Sequence, residues 1–372
     1  MLIFKSEFVA MFKNLKDKLK KNAEELYIGK QLAKKGLNPP INYSKALGNV
    51  NKILVIPSSV NGGILNSAII VKKLRYRYPN SEIRVSVPDN WASVVSKFIG
   101  VDATIGSWNS DSVWSDRYNS QIKAVSEWRP DLLIRLGSQM SIKDNYGCVI
   151  ADAKIRLCYL PRDLTSEFWN MTLVKKLAGL SDFRIGTALL QAIGIRDNDI
   201  PRNRIGAFKN VFHQDYQPTD HISIAIDADK FLNVFGKRNF NVIIETLENH
   251  NYKIVMVMGL ARPSNVSYLM KQYGGTASIH SATDMLSIGS VLLRCDVAIC
   301  GVGELLHWAN AVGTPTICLG SILEGQKKAE LEEEGIFVIS SNRETSNKLE
   351  ILLAKLDTIL PSISTGVMSH GV

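Results

Sequence analysis

The feature that most constrains this chain is an alternation of short apolar runs and helical stretches that occurs twice along its length. Residues 52–57 (Lys-Ile-Leu-Val-Ile-Pro) form the kind of unbroken run that a strand buried on both faces requires. A flexible turn of small and polar residues, 58–63, follows it, and residues 64–77 read as a helix. Residues 82–87 predict another strand, 91–99 another helix and 131–136 a third strand. Strands alternating with helices in this way predict a parallel sheet covered on both sides, running here to about residue 210.

A polar stretch containing a proline, residues 213–220, suits a linker, and beyond it the alternation restarts. Strands are expected at 222–226, 252–258, 296–300 and 315–319, helices at 240–248, 286–294 and 305–312, and a closing helix at 349–360. The predicted fold class is α/β, with two Rossmann-like domains facing each other across a cleft, each long enough to bury its own core. The expected division is a basic segment at 1–49, a first Rossmann-like domain at 50–212 and a second at 213–372. Ligands of such sheets bind outside the carboxyl ends of the strands, so the loops there are expected to carry the chemistry.

Charge adds information mainly at the N-terminus. The chain has 44 Lys and Arg against 35 Asp and Glu, a net +9. Residues 1–40 hold nine lysines against Glu7, Asp17, Glu24 and Glu25, which is +5 and leaves +4 for the remaining 332 residues. Phe4, Phe8, Phe12, Leu15 and Leu19 recur there at roughly helical spacing. A basic amphipathic helix of this kind either lies on an anionic membrane surface or packs on the protein's own body with its lysines solvated; the sequence leaves both open. Nucleic acid is not expected as a partner, because the basic residues are not interleaved with aromatics and no recognition motif is present. The five cysteines form no CxxC pair and are expected to be small core residues in a reducing compartment, with no zinc site. No apolar run approaches the ~20 residues of a membrane span, and no signal-peptide pattern opens the chain. The expected location is therefore cytoplasmic, with residues 1–40 as the candidate contact with the inner face of the cell membrane.

The most informative segment is 294–315, which reads strand, glycine turn, helix, glycine stop, strand. Gly301 and Gly303 let backbone approach a ligand closely, and a helix beginning after Gly303 aims unpaired N–H groups and a positive dipole end at an anion such as a diphosphate. Glu304 in the first turn is placed to accept from ribose hydroxyls, and His307 one turn further on to donate to a phosphate. The plainer alternative is an acid that favours a helix start and a satisfied core histidine.

This segment, with its glycine turn, His307 and the following Val312-Gly313-Thr314-Pro315, resembles the C-terminal signature of the glycosyltransferase family 9 heptosyltransferases. Residues 53–79, with Ser58, Ser59, Gly62, Tyr78 and Pro79, resemble the opening motif of the same family, and the similarity runs in order and spacing over most of 50–340. The resemblance implies the GT-B architecture, with the donor nucleotide held by the C-terminal half. It implies an inverting transfer from a nucleotide-sugar donor to a lipopolysaccharide or other surface-glycan acceptor, lipid-linked at the membrane, with no cofactor and no metal.

Three charged positions of the family depart here. The family's general-base aspartate, at the end of the opening loop, falls on Gly63, and no carboxylate lies within 58–63. The aspartate of the C-terminal turn falls on Val302, while His307 is kept. The donor-phosphate lysine falls near Asn233, flanked by Lys230 and Lys237. Donor contacts are thus expected from Gly301, Gly303, Glu304 and His307, with Lys230 or Lys237 on the diphosphate, and the acceptor-side loop from Asn61, Gly62 and Gly63. For the base, Asp89 and either Asp227 or Asp229 stand at loop positions near strand ends. Asp89 and Asp229 are the catalytic candidates, against the plainer reading of solvated turn aspartates. Trp91, Trp108, Trp114, Trp128 and Trp169 either line an acceptor groove or fill the core, and large aromatics favour the core. The rival to an active transferase is a catalytically silent GT-B module that binds nucleotide, glycan or a partner enzyme as a scaffold. A nucleotide-sugar epimerase of related architecture is a weaker rival, and a dehydrogenase is disfavoured because no G-x-G-x-x-G follows the first strand.

Overall fold

The unbroken Ile-Leu-Val run lies where its lack of alternation demands: Ile53, Leu54 and Val55 are fully covered in a central strand, β1 (Lys52–Ile56). A computed structural model describes residues 41–58, 61–108, 112–137, 142–159, 169–173, 182–196, 223–258, 263–281, 285–320 and 336–340, with single positions between 18 and 27 and between 350 and 358. The first half begins with the short helix α1 (Tyr43–Gly48). After β1 come α2 (Asn61–Arg77), β2 (Glu82–Val87), α3 (Asp89–Val95), β3 (Ala103–Gly106), α4 (Asp116–Trp128) and β4 (Leu132–Arg135). It closes with α5 (Ile142–Ile150), β5 (Ile155–Tyr159), β6 (Met171–Leu173) and α6 (Asp182–Ala192). Its six strands pair in parallel in the order β3-β2-β1-β4-β5-β6.

The second half repeats the plan with β7 (Ser223–Asp227), α7 (Ala228–Asn249), β8 (Lys253–Met258), α8 (Pro263–Tyr273) and β9 (Ser278–Ser281). It continues through α9 (Met285–Leu293), β10 (Val297–Gly301), α10 (Glu304–Val312), β11 (Thr316–Gly320) and β12 (Ile336–Ser340). Its strand order, β12-β11-β10-β7-β8-β9, is the same arrangement and again all parallel. The fold is therefore α/β with two Rossmann-type sheets, as the alternation predicted.

Two expectations are corrected. Residues 61–63 are not a flexible turn but the first turn of α2, with Gly62 and Gly63 buried. Tertiary packing here overrides the poor helix propensity of glycine. The helix expected at 240–248 starts twelve residues earlier, at Ala228, because Asp227 caps it, and it is broken at Gly236 (φ 71°, ψ 166°) rather than continuous. The linker at 213–220 lies outside the described residues. The described positions from 350 to 358 are helical, and Leu352 and Leu356 are buried in the second half's core.

The two halves meet through apolar surface. The largest core cluster contains residues of both, with α2 packed against α10 and α3 against α9. At its centre Trp91 of α3 and Trp308 of α10, both fully buried, stack with ring planes 6° apart and centroids 5.8 Å apart. Trp108, Trp128 and Trp169 are also core residues, and only Trp114 of the five is exposed. All five cysteines are free and buried, and burial pushes the Cys295 and Cys318 thiols up to about 12, which makes them inert at neutral pH. Among the described residues no helix is long and apolar enough to cross a membrane. In the N-terminal segment Tyr27 rests on the body, its ring 6.2 Å from that of Trp114.

Candidate functional site

A doubly wound sheet opens a crevice where its strand order reverses, beyond the carboxyl ends of the two strands that flank the reversal. In the second half those strands are β7 and β10. Asp227 ends β7 and Gly301 ends β10, so both stand at the mouth of the crevice. The Asp227 carboxylate caps α7, accepting the Lys230 N–H at 3.1 Å, and also takes the Gly301 N–H. Capping directs Lys230 back over the glycine turn. A side chain on Gly301 would meet Lys230 Cβ and Cγ at 3.0 Å, and one on Gly303 would meet its Cε at 3.5 Å. The missing side chain at 301 is what lets the lysine stem lie flat along the turn. Val302, between the two glycines, is 45% exposed.

The electrostatics are those of a partly dry site. Burial pushes the Asp227 carboxyl up to about 6 and neighbouring Asp229 adds to the rise, against the pull of the Lys230 and Gly301 contacts. Glu304, the first residue of α10, is raised in the same direction by burial and then by the Asp227 charge. Its Oε1 is covered and has no hydrogen-bond partner among the described residues. Gly303 precedes the helix without a side-chain cap, so the N–H groups of the first turn of α10 face the crevice mouth.

One turn further on, His307 crosses to the other half. A Cβ on Gly62 would lie 2.5–2.6 Å from three atoms of its ring, so the imidazole sits on the bare backbone of the first turn of α2. The first sheet has its own reversal between β1 and β4, and there Arg135, 1% exposed, donates to the Pro57 carbonyl at 2.6 Å. Arg135 thereby braces the chain that leads into α2. Its signal in the sequence is a cation ending an otherwise apolar strand, Leu132 to Arg135.

The structure thus brings Lys230, Asp229, Gly301, Gly303, Glu304, His307, Gly62 and Gly63 to one region, together with Asp227. It separates the two candidate lysines: Lys237 lies beyond the break at Gly236, its ammonium 4.5 Å over the Tyr268 ring. Asp89 opens α3 and is ion-paired with Arg117 at 2.7 Å on an exposed surface. Asn61 starts α2, and its side chain lies outside the described residues. Among the described residues no cluster of three or more His, Cys, Asp or Glu is placed to hold a metal. A lysine stem, a bare helix start and two neighbouring carboxyls suit an anion that also carries hydroxyl groups.

No protein-family model and no curated protein sequence matches the chain. Solved structures do. The glycosyl transferase family 9 protein from Veillonella parvula superposes with a TM-score of 0.66 at 14% identity, over 84% of this chain and 97% of that one. The E. coli heptosyltransferase WaaC, in complex with ADP-2-deoxy-2-fluoro heptose, gives 0.63 at 14% identity over 82% and 99%. E. coli ADP-heptose LPS heptosyltransferase II gives 0.62 at 18% identity over 84% and 99%. The chain has the GT-B fold of these heptosyltransferases along nearly their whole length.

Proposed function

We propose that the chain is a glycosyltransferase that moves a sugar, with inversion, from a nucleotide-sugar donor to a lipopolysaccharide or other surface-glycan acceptor. The observation that carries this reading is Lys230 laid along the Gly301–Gly303 turn at the reversal of the second sheet, facing α2 of the other half across His307. In this reading the donor diphosphate lies against the first turn of α10. Its growing negative charge as the sugar departs is met by the Lys230 ammonium and by helix N–H groups in a site partly shielded from water. Glu304 takes the ribose hydroxyls, and His307 donates to a phosphate oxygen. No metal is needed, because the cations are side chains. Two of the neighbours were solved with ADP or an ADP-sugar analogue, so an adenine nucleotide is the first donor class to try. The acceptor hydroxyl must lose its proton to a base within hydrogen-bond reach. Asp229, beside the buried Asp227, is the candidate on the donor side, and Asp89 the candidate on the acceptor side once released from Arg117. Residues 1–40 would hold the protein at the membrane that carries the acceptor.

Calorimetric titration with ADP, UDP, GDP and CDP, comparing wild type with His307→Ala, tests the reading. Micromolar binding of one nucleotide, weakened in the variant, supports it. No binding of any of the four by the folded protein sinks it. A second reading, the silent scaffold, is favoured by one observation: Gly62 and Gly63 are buried in α2, with His307 seated on Gly62, and no carboxylate stands at the start of the opening helix. Turnover of any donor that disappears in His307→Ala excludes that reading.

A further inference from the structure

A second recess lies at the opposite edge of the first sheet, where its strands begin. It is an open groove of 580 Å³ between α1, the turn that enters β5 and the start of β6. Its charged lining is Lys45 from α1 and Asp152, Lys154 and Arg156 from the β5 side, three cations against one carboxylate. Arg156 is only 7% exposed, and its guanidinium donates to the Ala153 carbonyl at 2.9 Å. Burial holds that guanidinium below its ordinary range, with Asp152 among the negative groups that counter it. Asn170 fastens the edge, accepting the Arg156 N–H at 2.7 Å and donating to the Lys154 carbonyl at 2.7 Å. Lys154 pairs with Asp131 at 2.6 Å yet stays 69% exposed, and Lys45 is exposed on α1.

A desolvated guanidinium with two ammonium groups at the rim is the donor set that recognises phosphate, and the asparagine amides Asn42 and Asn170 add neutral polar lining. Position supplies the source. The chain enters this groove directly from the +5 segment of residues 1–40, since Ile41 and Asn42 are themselves part of the lining. We propose that this groove binds a phosphate group, and that the phosphate belongs to the head group of an anionic lipid. The site is independent of the donor crevice, which lies at the carboxyl edges of the sheets.

The test uses the full chain, so that the N-terminal lysines are always present. Sedimentation with phosphatidylcholine vesicles containing phosphatidylglycerol compares wild type with Lys45→Gln and Asp152→Asn. A charge at a membrane surface contributes on the order of a fivefold change in binding. Lys45→Gln should weaken binding about fivefold and Asp152→Asn should tighten it by a similar factor. Asn tolerates the left-handed backbone at 152 (φ 53°), and a folding defect would not produce a gain. Vesicle binding unchanged in both variants overturns the proposal, because the N-terminal lysines alone would then account for it. Glycerol 3-phosphate titrated calorimetrically forms the other arm. Saturable binding weakened by Lys45→Gln, without any preference for anionic vesicles, would keep the phosphate site and overturn the lipid as its source.

Discussion

Two strand–glycine–helix units meet at the joint between the halves, β1 into α2 and β10 into α10; each strand flanks the reversal of its own sheet, β1 as the first strand of one and β10 as the fourth of the other. Their glycines do different work. Gly301 admits a side chain of its own half, the Lys230 stem, and the turn around it is furnished with Asp227, Asp229 and Glu304. Gly62 admits a side chain of the other half, the His307 ring, and Gly62 and Gly63 are both buried. One unit carries the groups that suit an anion, and the other seats a ring. Topology puts both turns at a reversal, and the side chains brought to each set what it can do.

The contrast depends on the halves being held in register, and the Trp91–Trp308 stack is the centre of that contact. Trp308→Ala should cost about 3–5 kcal/mol in denaturant unfolding, the usual range for truncating a buried tryptophan. Combined with Trp91→Ala it should show a coupling of about 0.5–1.5 kcal/mol beyond area burial. An unchanged denaturation midpoint would mean that the joint is held elsewhere and that the two turns need not face each other.

The next effect isolates the charged turn. Asp227 titrates near 3.8 when exposed and about 6 when folded, the shift coming first from burial. The folded state therefore binds this proton more tightly. The stabilisation is complete below the unfolded value and is lost as pH rises toward 6, at a cost of about 3 kcal/mol by pH 8. Asp227→Asn keeps the capping oxygen and removes the titration. It should match wild type at pH 4 and gain stability over it at pH 8, by up to that amount. Chemical denaturation at the two pH values checks this, and a variant less stable at both would show that the ionised carboxylate supports the turn.

How much of this could be read from residues alone follows the same contrast. The β10–α10 unit was readable because its signals are local: an apolar run, two glycines, an acid and a histidine one turn later, then a glycine stop. Lys230 was readable only as one of a pair. The break at Gly236, which sends Lys237 to Tyr268, depends on a backbone angle that the string Val-Phe-Gly-Lys does not announce. The glycine pair at 62–63 predicts a loop, because such pairs usually mark one. Residues 61–63 are helical despite their glycines, and the ring packed on Gly62 comes from a residue more than two hundred positions away in the chain. Spacing does not separate Asp227 from Asp229; what distinguishes Asp227 is its burial.

The two lysines give the third test. Lys230→Ala removes a charge-assisted contact of the kind worth about 1.5–3 kcal/mol, so nucleotide affinity should fall at least tenfold with little change in stability. Lys237→Ala should leave affinity alone and cost at most about 0.5–1 kcal/mol of stability through the lost contact with Tyr268. Calorimetry on both variants reads the difference directly. Equal losses of affinity would place the anion outside the Gly301–Gly303 turn.

The seat itself gives the smallest effect and the cleanest sign. Gly62→Ala places a methyl group 2.5 Å from the imidazole, and a ring held between two halves cannot yield without shifting a helix. Overpacking of this kind costs about 1–3 kcal/mol. Opposing it, alanine in a helix is favoured over glycine by roughly 0.5–1 kcal/mol. The substitution should therefore destabilise the wild-type background and stabilise a His307→Ala background, which lacks the ring atoms nearest to residue 62. That reversal of sign, measured as denaturation midpoints in a double-mutant cycle, reports the contact itself rather than a general weakness of the helix. If Gly62→Ala is stabilising in both backgrounds, His307 is not seated on α2 in solution. The two glycine turns would then belong to halves that stand further apart, with His307 available to a ligand without any steric demand from the first half.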